Sequence, residues 1–128
     1  QACTGLFDKT AFAKKKAEAW STRKEEFEKR AGFALIAGLA WHSKTEPNKT
    51  FLDFLPLIKQ QATDERNFVK KAVNWALRQI GKRNPSLLQA ARQTAKEIEK
   101  MDSKSARWIA ADALREFQIK SAELVSKA

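Results

Sequence analysis

Four residues in the middle of the chain have the types and spacing to meet a polyanion. Lys71, Trp75, Arg78 and Lys82 follow at i, i+4, i+7 and i+11, which at roughly 100° per residue lines them along one side of a helix. Lysine and arginine neutralise phosphates and give salt-sensitive affinity. An indole offers a face for stacking or for a cation. The opposite side carries Val69, Ala72, Val73, Ala76, Leu77 and Ile80, a core stripe, so Trp75 stands among cations and away from the aliphatic side. Two readings are open from spacing alone. Either the stripe contacts nucleic acid, or Trp75 packs under a neighbouring helix and the charges are solvated. Arg30 is a fifth candidate. It shares a stripe with Phe27, Ala34, Ala37 and Trp41, an arginine opening onto small residues as in a lined groove.

Conventional catalytic sets are missing from the sequence. Cys3 is the only cysteine, which rules out an intrachain disulfide and fits a reducing compartment. Nothing pairs it with a base, and it reads as a small apolar filler. His42 is the only histidine and ends a helix, where a cation suits the dipole. One of each cannot build a zinc cluster of the usual ligand types, so no metal and no cofactor is expected. Asp8, Asp53, Asp64, Asp102 and Asp112 fall mostly at turns or helix starts, with capping assigned to Asp64 and Asp102. No carboxylate pair stands out for acid–base work, and there is no Gly-rich phosphate loop or nucleophile elbow. Trp20, Trp41 and Trp108 read as core or helix-junction residues.

The elements that must hold the stripe are helical. Pro and Gly are sparse, with 3 and 4 residues, and helix formers abound. No alternating β-branched run has the length of a strand. At 128 residues the chain is one domain or part of one. Its first residue, Gln1, and the apolar lead Cys3 to Phe7 suggest a piece of a longer protein. The 25 Lys and Arg against 15 Asp and Glu leave a net charge of +10. Such an excess points to nucleic acid or an acidic membrane surface, with a solvated basic surface as the plain alternative. No apolar run is long enough to span a bilayer and there is no signal peptide; a cytoplasmic protein is expected.

In order, Thr10 caps a helix over Ala11 to Trp20, with Phe12 and Trp20 as its core contacts and Lys14, Lys15 and Lys16 as a solvated run. Ser21 and Thr22, followed by Glu25 and Glu26, read as a capping box opening a long helix to Trp41 or His42. Its middle is apolar almost all round. Ser43 to Lys49 is a loop. Phe51 to Ala62 is a helix with Leu52, Phe54, Leu55 and Ile58 inward and a break or a kinked first turn at Pro56. The helix of Trp75 covers about 64–83. Pro85 to Met101 follows with Leu87, Leu88, Ala91, Ala95 and Ile98 inward. Ser105 to about Val125 is the last helix, with Ile109, Ala113 and Phe117 in the core and Trp108 and Arg115 toward the polar side. Lys29-Arg30-Ala31 and Lys70-Lys71-Ala72 stand 41 apart, and Ala76-Leu77-Arg78 and Ala113-Leu114-Arg115 stand 37 apart. A period near 40 with two helices per unit is the mark of a HEAT-like α-solenoid. The expected fold is therefore all-α, an α-α superhelix of about six helices, with the long ones (about 23–42, 64–83 and 103–125) lining one face.

The run Val69-Lys70-Lys71-Ala72, then Trp75-Ala76-Leu77-Arg78, together with Trp20-Ser21, Phe27-Glu28-Lys29-Arg30-Ala31, Leu35, Asp64-Glu65 and Phe68, resembles the C-terminal half of the DNA alkylation repair (AlkD-like) HEAT-repeat DNA glycosylases. The resemblance reaches to about Phe117. It implies DNA repair by excision of N3- or N7-alkylated purines from double-stranded DNA, with no membrane partner. It puts Trp75 and Arg78 at the lesion and Arg30 on the DNA backbone, where Lys71 and Lys82 would join it. The family also uses an aspartate in a W-D-x-x-D motif followed by a segment like Gln1-Ala2-Cys3. On that resemblance the catalytic carboxylate lies upstream of Gln1, no catalytic residue is expected in this chain, and residues 1–128 are the C-terminal portion of one repeat domain that binds DNA without excising bases. The rival expectation is a non-catalytic HEAT-repeat scaffold for DNA or for a protein partner.

Overall fold

The computed structural model describes residues 15, 17–21, 25–42 and 47–127, of which 120–127 are described as backbone only. After a helical stretch at 17–21 come α1 (Glu26–His42), α2 (Asn48–Gln61), α3 (Asn67–Gly81), α4 (Pro85–Glu99) and α5 (Lys104–Lys127). No strand occurs among the described residues. Helices α1, α3 and α5 pack side by side as one layer, and α2 and α4 pack on each other and against α3 and α5 as a second. This is the all-α helical repeat architecture expected from the sequence.

The repeat is visible in the polar links between units. Lys59–Glu97, Glu65–Ser103, Asn74–Asp112 and Arg78–Glu116 each join residues 38 apart. Successive two-helix units thus meet their neighbours through equivalent positions, as stacking of one supersecondary unit on the next requires.

The core lies between the layers. Val69, Val73, Ala76, Leu77 and Ile80 of α3 are fully buried, as are Leu87, Ala91, Ala95 and Ile98 of α4 and Ile109, Ala113 and Phe117 of α5. Two glycines mark the closest approaches. A Cβ on Gly81 would collide with the Phe117 ring, and one on Gly32 would collide with the Ser21 backbone. Gly32 therefore lets the 17–21 stretch lie against α1, and Gly81 lets α5 lie against the end of α3.

Several local expectations fail. Helix α2 starts at Asn48 and runs through Pro56 without a break. Pro56 and Leu52 are both exposed, so the Leu52 carbonyl that loses its i+4 partner faces water rather than the core, and Leu52 is not a core residue. Asp53 sits inside α2 rather than at a turn. Ser21 is helical and donates its hydroxyl to the Glu18 carbonyl at 3.1 Å; it does not open α1, which begins at Glu26. Asp64 does not cap α3, whose N-cap position is Arg66 with no side-chain bond. For α5 the hydroxyl is on Ser103, which accepts from Ala106 N at 3.3 Å, and Asp102 is exposed with only a long pair to Arg107, 3.6 Å. Asn84 caps α4, accepting from Leu87 N at 2.9 Å. Cys3, Asp8, Thr10, Phe12, Lys14, Lys16 and Thr22 lie outside the described residues.

Candidate nucleic-acid interface

The α1–α3–α5 layer presents the stripe, and the three helices treat its residues differently. On the α1 side Arg30 is exposed and its guanidinium lies 5.3 Å from the centre of the Phe68 ring, itself 55% exposed. Lys71 is exposed, and among the described residues neither Arg30 nor Lys71 has an ion pair. Trp75 is half-buried and packs against the core. Its indole is therefore held by packing with one part open. Ala37 is fully buried and does not share the open stripe with Arg30. Gly38 does face open space, with nothing within 4 Å of where a Cβ would stand.

On the α5 side every cation of α3 is matched. Lys70 stands 5.1 Å over the Trp108 ring. Arg78 donates through Nη1 to Glu116 Oε2 at 3.0 Å and through Nε to Asn74 Oδ1, with Asp112 Oδ2 3.7 Å away. Lys82, just past the end of α3, pairs with Glu116 Oε1. Asn74 is 1% exposed and donates through Nδ2 to Asp112 Oδ2 at 3.0 Å. Arg115 reaches Asp112 Oδ1 at 3.6 Å. Partial burial pushes the Glu116 carboxyl up, but the hydrogen bonds from Lys82 and Arg78 outweigh it, so its pKa falls below the ordinary glutamate range and it is ionised at neutral pH.

Trp75, Arg78, Lys71 and Lys82 are thus brought to one side of α3, with Arg30 across from them on α1. What sequence reasoning missed is the carboxylate half of this surface. Asp112 is not at a turn or helix start; it sits mid-helix in α5 beside Asn74 and Arg78. The signal was present in the repeat, because Asp112 and Glu116 come one unit, 38 residues, after Asn74 and Arg78. Asn74 was legible as a lone polar residue between Val73 and Trp75. Trp41 and Trp108 are 65% and 40% exposed and are not core residues. Trp41 ends α1 with its ring 4.8 Å from that of His42, and Trp108 extends the α5 face past Asp112.

A buried ion pair fixes α1 against α3. Lys29 Nζ meets Asp64 Oδ2 at 2.9 Å, with side chains 9% and 11% exposed. Arg66 holds the same carboxylate through Nε at 3.0 Å, Nη2 at 2.8 Å and its backbone N–H at 3.1 Å. The Arg66 guanidinium drives the Asp64 carboxyl well below the usual carboxylate range; burial opposes this and Lys29 reinforces it. Lys29 precedes Arg30, so this pair sets where Arg30 stands relative to α3. Among the described residues no group of three or more His, Cys, Asp or Glu could hold a metal, and no helix is long and apolar enough to cross a membrane.

The fold is an all-α helical repeat whose α1–α3–α5 layer carries exposed cations and a half-buried indole. The match to a family model narrows this: residues 2–117 fit the model of the DNA alkylation repair enzymes, and the chain belongs to that family. No curated protein and no solved structure matches it. Membership makes DNA repair the setting of the protein and DNA its partner class.

Proposed function

We propose that the α1–α3–α5 layer holds double-stranded DNA carrying N3- or N7-alkylated purines, and that the protein takes part in excising the damaged base. The observation that carries this reading is Trp75, half-buried on α3 beside Arg78, with the exposed cations Lys71 and Arg30 flanking it. A purine alkylated at N3 or N7 is cationic and a good leaving group. When its glycosidic bond breaks, the bonding pair goes to the base, positive charge builds on the sugar, and water adds at the anomeric carbon. An indole face stabilises a cationic base or sugar, and cations on the flanking phosphates hold register.

In this reading Trp75 and Arg78 stand at the lesion, and Arg30, Lys71 and Lys82 on the backbone. The reaction also needs a carboxylate to stabilise the sugar cation. Asp112 and Glu116 are already engaged by Asn74, Arg78, Lys82 and Arg115. In this reading neither of them serves as that carboxylate, and the α1–α3–α5 layer holds the DNA.

The test is release of 7-methylguanine or 3-methyladenine from alkylated duplex DNA by the protein. Trp75→Ala and Arg78→Ala are expected to lower release at least tenfold, and no release above background by the wild type refutes the glycosylase reading. The engagement of Arg78 by Glu116 favours one second reading, a DNA-binding repeat without excision chemistry. Duplex binding with no base release supports it.

A further inference from the structure

The layer has an uneven charge distribution that its net charge of +10 hides. Arg30 on α1 and Lys71 on α3 are exposed and, among the described residues, without an ion pair. On the α5 side Arg78 and Lys82 converge on a single residue, Glu116, whose two oxygens are divided between them: Oε2 accepts from Arg78 and Oε1 pairs with Lys82. Asn74 and Asp112 brace this arrangement from below, Asn74 taking the Arg78 Nε–H on one end and giving its own N–H to Asp112 on the other. The side chains of Arg78, Lys82 and Glu116 are 30%, 36% and 27% exposed, so all three are reachable by an incoming anion. A phosphate cannot take Arg78 and Lys82 at full strength while Glu116 holds them. Either it competes with the carboxylate for the same donors, or it stands beside a like charge.

We propose that Glu116 is a counter-carboxylate built into this surface, withholding Arg78, at the lesion, and Lys82, beside it on the backbone, from the DNA phosphates. This rests on the reading of the layer as a DNA-contact surface. At rest Arg78 and Lys82 contribute little to non-specific affinity, which comes from cations that no carboxylate holds, Arg30 and Lys71 among them. Arg78 and Lys82 are committed only where a phosphate is seated well enough to displace Glu116. The carboxylate thereby lowers affinity for DNA in general and confines the strongest phosphate contacts to DNA in the right register, a specificity device of the kind in which an unfavourable element rejects the wrong ligand.

The experiment is equilibrium binding of an unmodified duplex oligonucleotide to the 128-residue chain over a salt series, for wild type, Glu116→Gln, Lys82→Gln and the double variant. Each cation freed to meet a phosphate steepens the slope of log K against log salt by about 0.9. Glu116→Gln is expected to bind roughly tenfold tighter near 0.1 M salt, with a slope about 1 to 2 steeper. Lys82→Gln is expected to change wild-type binding less than about twofold, because Glu116 already holds Lys82, and to weaken Glu116→Gln by about eightfold, one phosphate contact at that slope. Equal or weaker binding by Glu116→Gln, with an unchanged slope, overturns the proposal and assigns Glu116 a bracing role. Lys82→Gln alone weakening the wild type as strongly as Arg30→Ala also overturns it, whatever the folding of the Glu116 variant. Wild-type chain that shows no salt-dependent binding removes the DNA reading itself, a result distinct from the other two.

Discussion

The Lys29–Asp64–Arg66 cluster allows an asymmetric prediction about which half of a buried ion pair matters. Lys29 has one carboxylate partner and is 7% exposed. Asp64 has Lys29 and also three donors from Arg66. Asp64→Asn removes the only counter-charge of a buried ammonium, a loss that costs about 3 kcal/mol or more in such sites. Arg66, at 38% exposed, turns to water at little cost. Lys29→Met removes one charge-assisted hydrogen bond but leaves Asp64 paired with Arg66 and fills the space with an apolar chain of similar length, at a cost of about 1 kcal/mol. Thermal unfolding is expected to show Tm lowered by about 12 °C for Asp64→Asn and about 4 °C for Lys29→Met, at roughly 4 °C per kcal/mol for a chain of this size.

The pH dependence gives a second handle on the same site. The unfolded chain protonates Asp64 as pH falls through about 3.9, whereas the folded chain, with the carboxyl held lower by Arg66 and Lys29, resists. The unfolded state binds more protons in that window. Stability from Asp64 is therefore fully present above about pH 5 and lost as pH falls toward the folded value. Asp64→Asn is expected to flatten this part of the acid limb. Equal losses from the two substitutions, or an acid limb unchanged in Asp64→Asn, refute the reasoning.

The glycines separate packing from backbone entropy. Gly81→Ala is expected to cost about 1–3 kcal/mol in urea unfolding, because its Cβ collides with the buried Phe117 ring and α5 must move. Gly38→Ala, where a Cβ meets nothing, is expected to raise stability by about 0.5–1 kcal/mol through better helix propensity.

The helix bodies were legible because burial repeats with the helical period: Leu87, Leu88, Ala91, Ala95 and Ile98 are all buried as their spacing predicts. The caps were not. Thr63-Asp64-Glu65 and Asp102-Ser103 each offer adjacent residues able to cap, but no side chain caps α3 and Ser103 rather than Asp102 caps α5, because contacts with the neighbouring unit about 38 residues away engage these side chains. Glu65 shows this directly, accepting from the Ser103 hydroxyl and the Ser105 backbone N–H of the next unit. Pro56 was read as a break or a kinked first turn because its cost in a helix is large; its placement on the solvent side of α2 lets water meet the freed carbonyl. Trp41 and Trp108 were read as core or helix-junction residues, Trp108 leaning toward the polar side; neither is core, and Trp41 stands at the end of α1. For the candidate site, period alone found Lys71, Trp75, Arg78 and Lys82. It could not find Glu116 and Asp112 opposite them, since a cross-helix ion pair depends on the register of α5 on α3, which Gly81 and Phe117 set in space.

The central claim is that the α1–α3–α5 layer is a DNA-contact surface, and the salt dependence of duplex binding tests it most directly. The chain is expected to bind alkylated and unmodified duplexes weakly, with affinity falling as salt rises, and the Arg30→Ala, Lys71→Ala double variant is expected to lose about 1.8 from the log–log slope. Absence of binding at low salt, or a slope that the double variant leaves unchanged, contradicts the account.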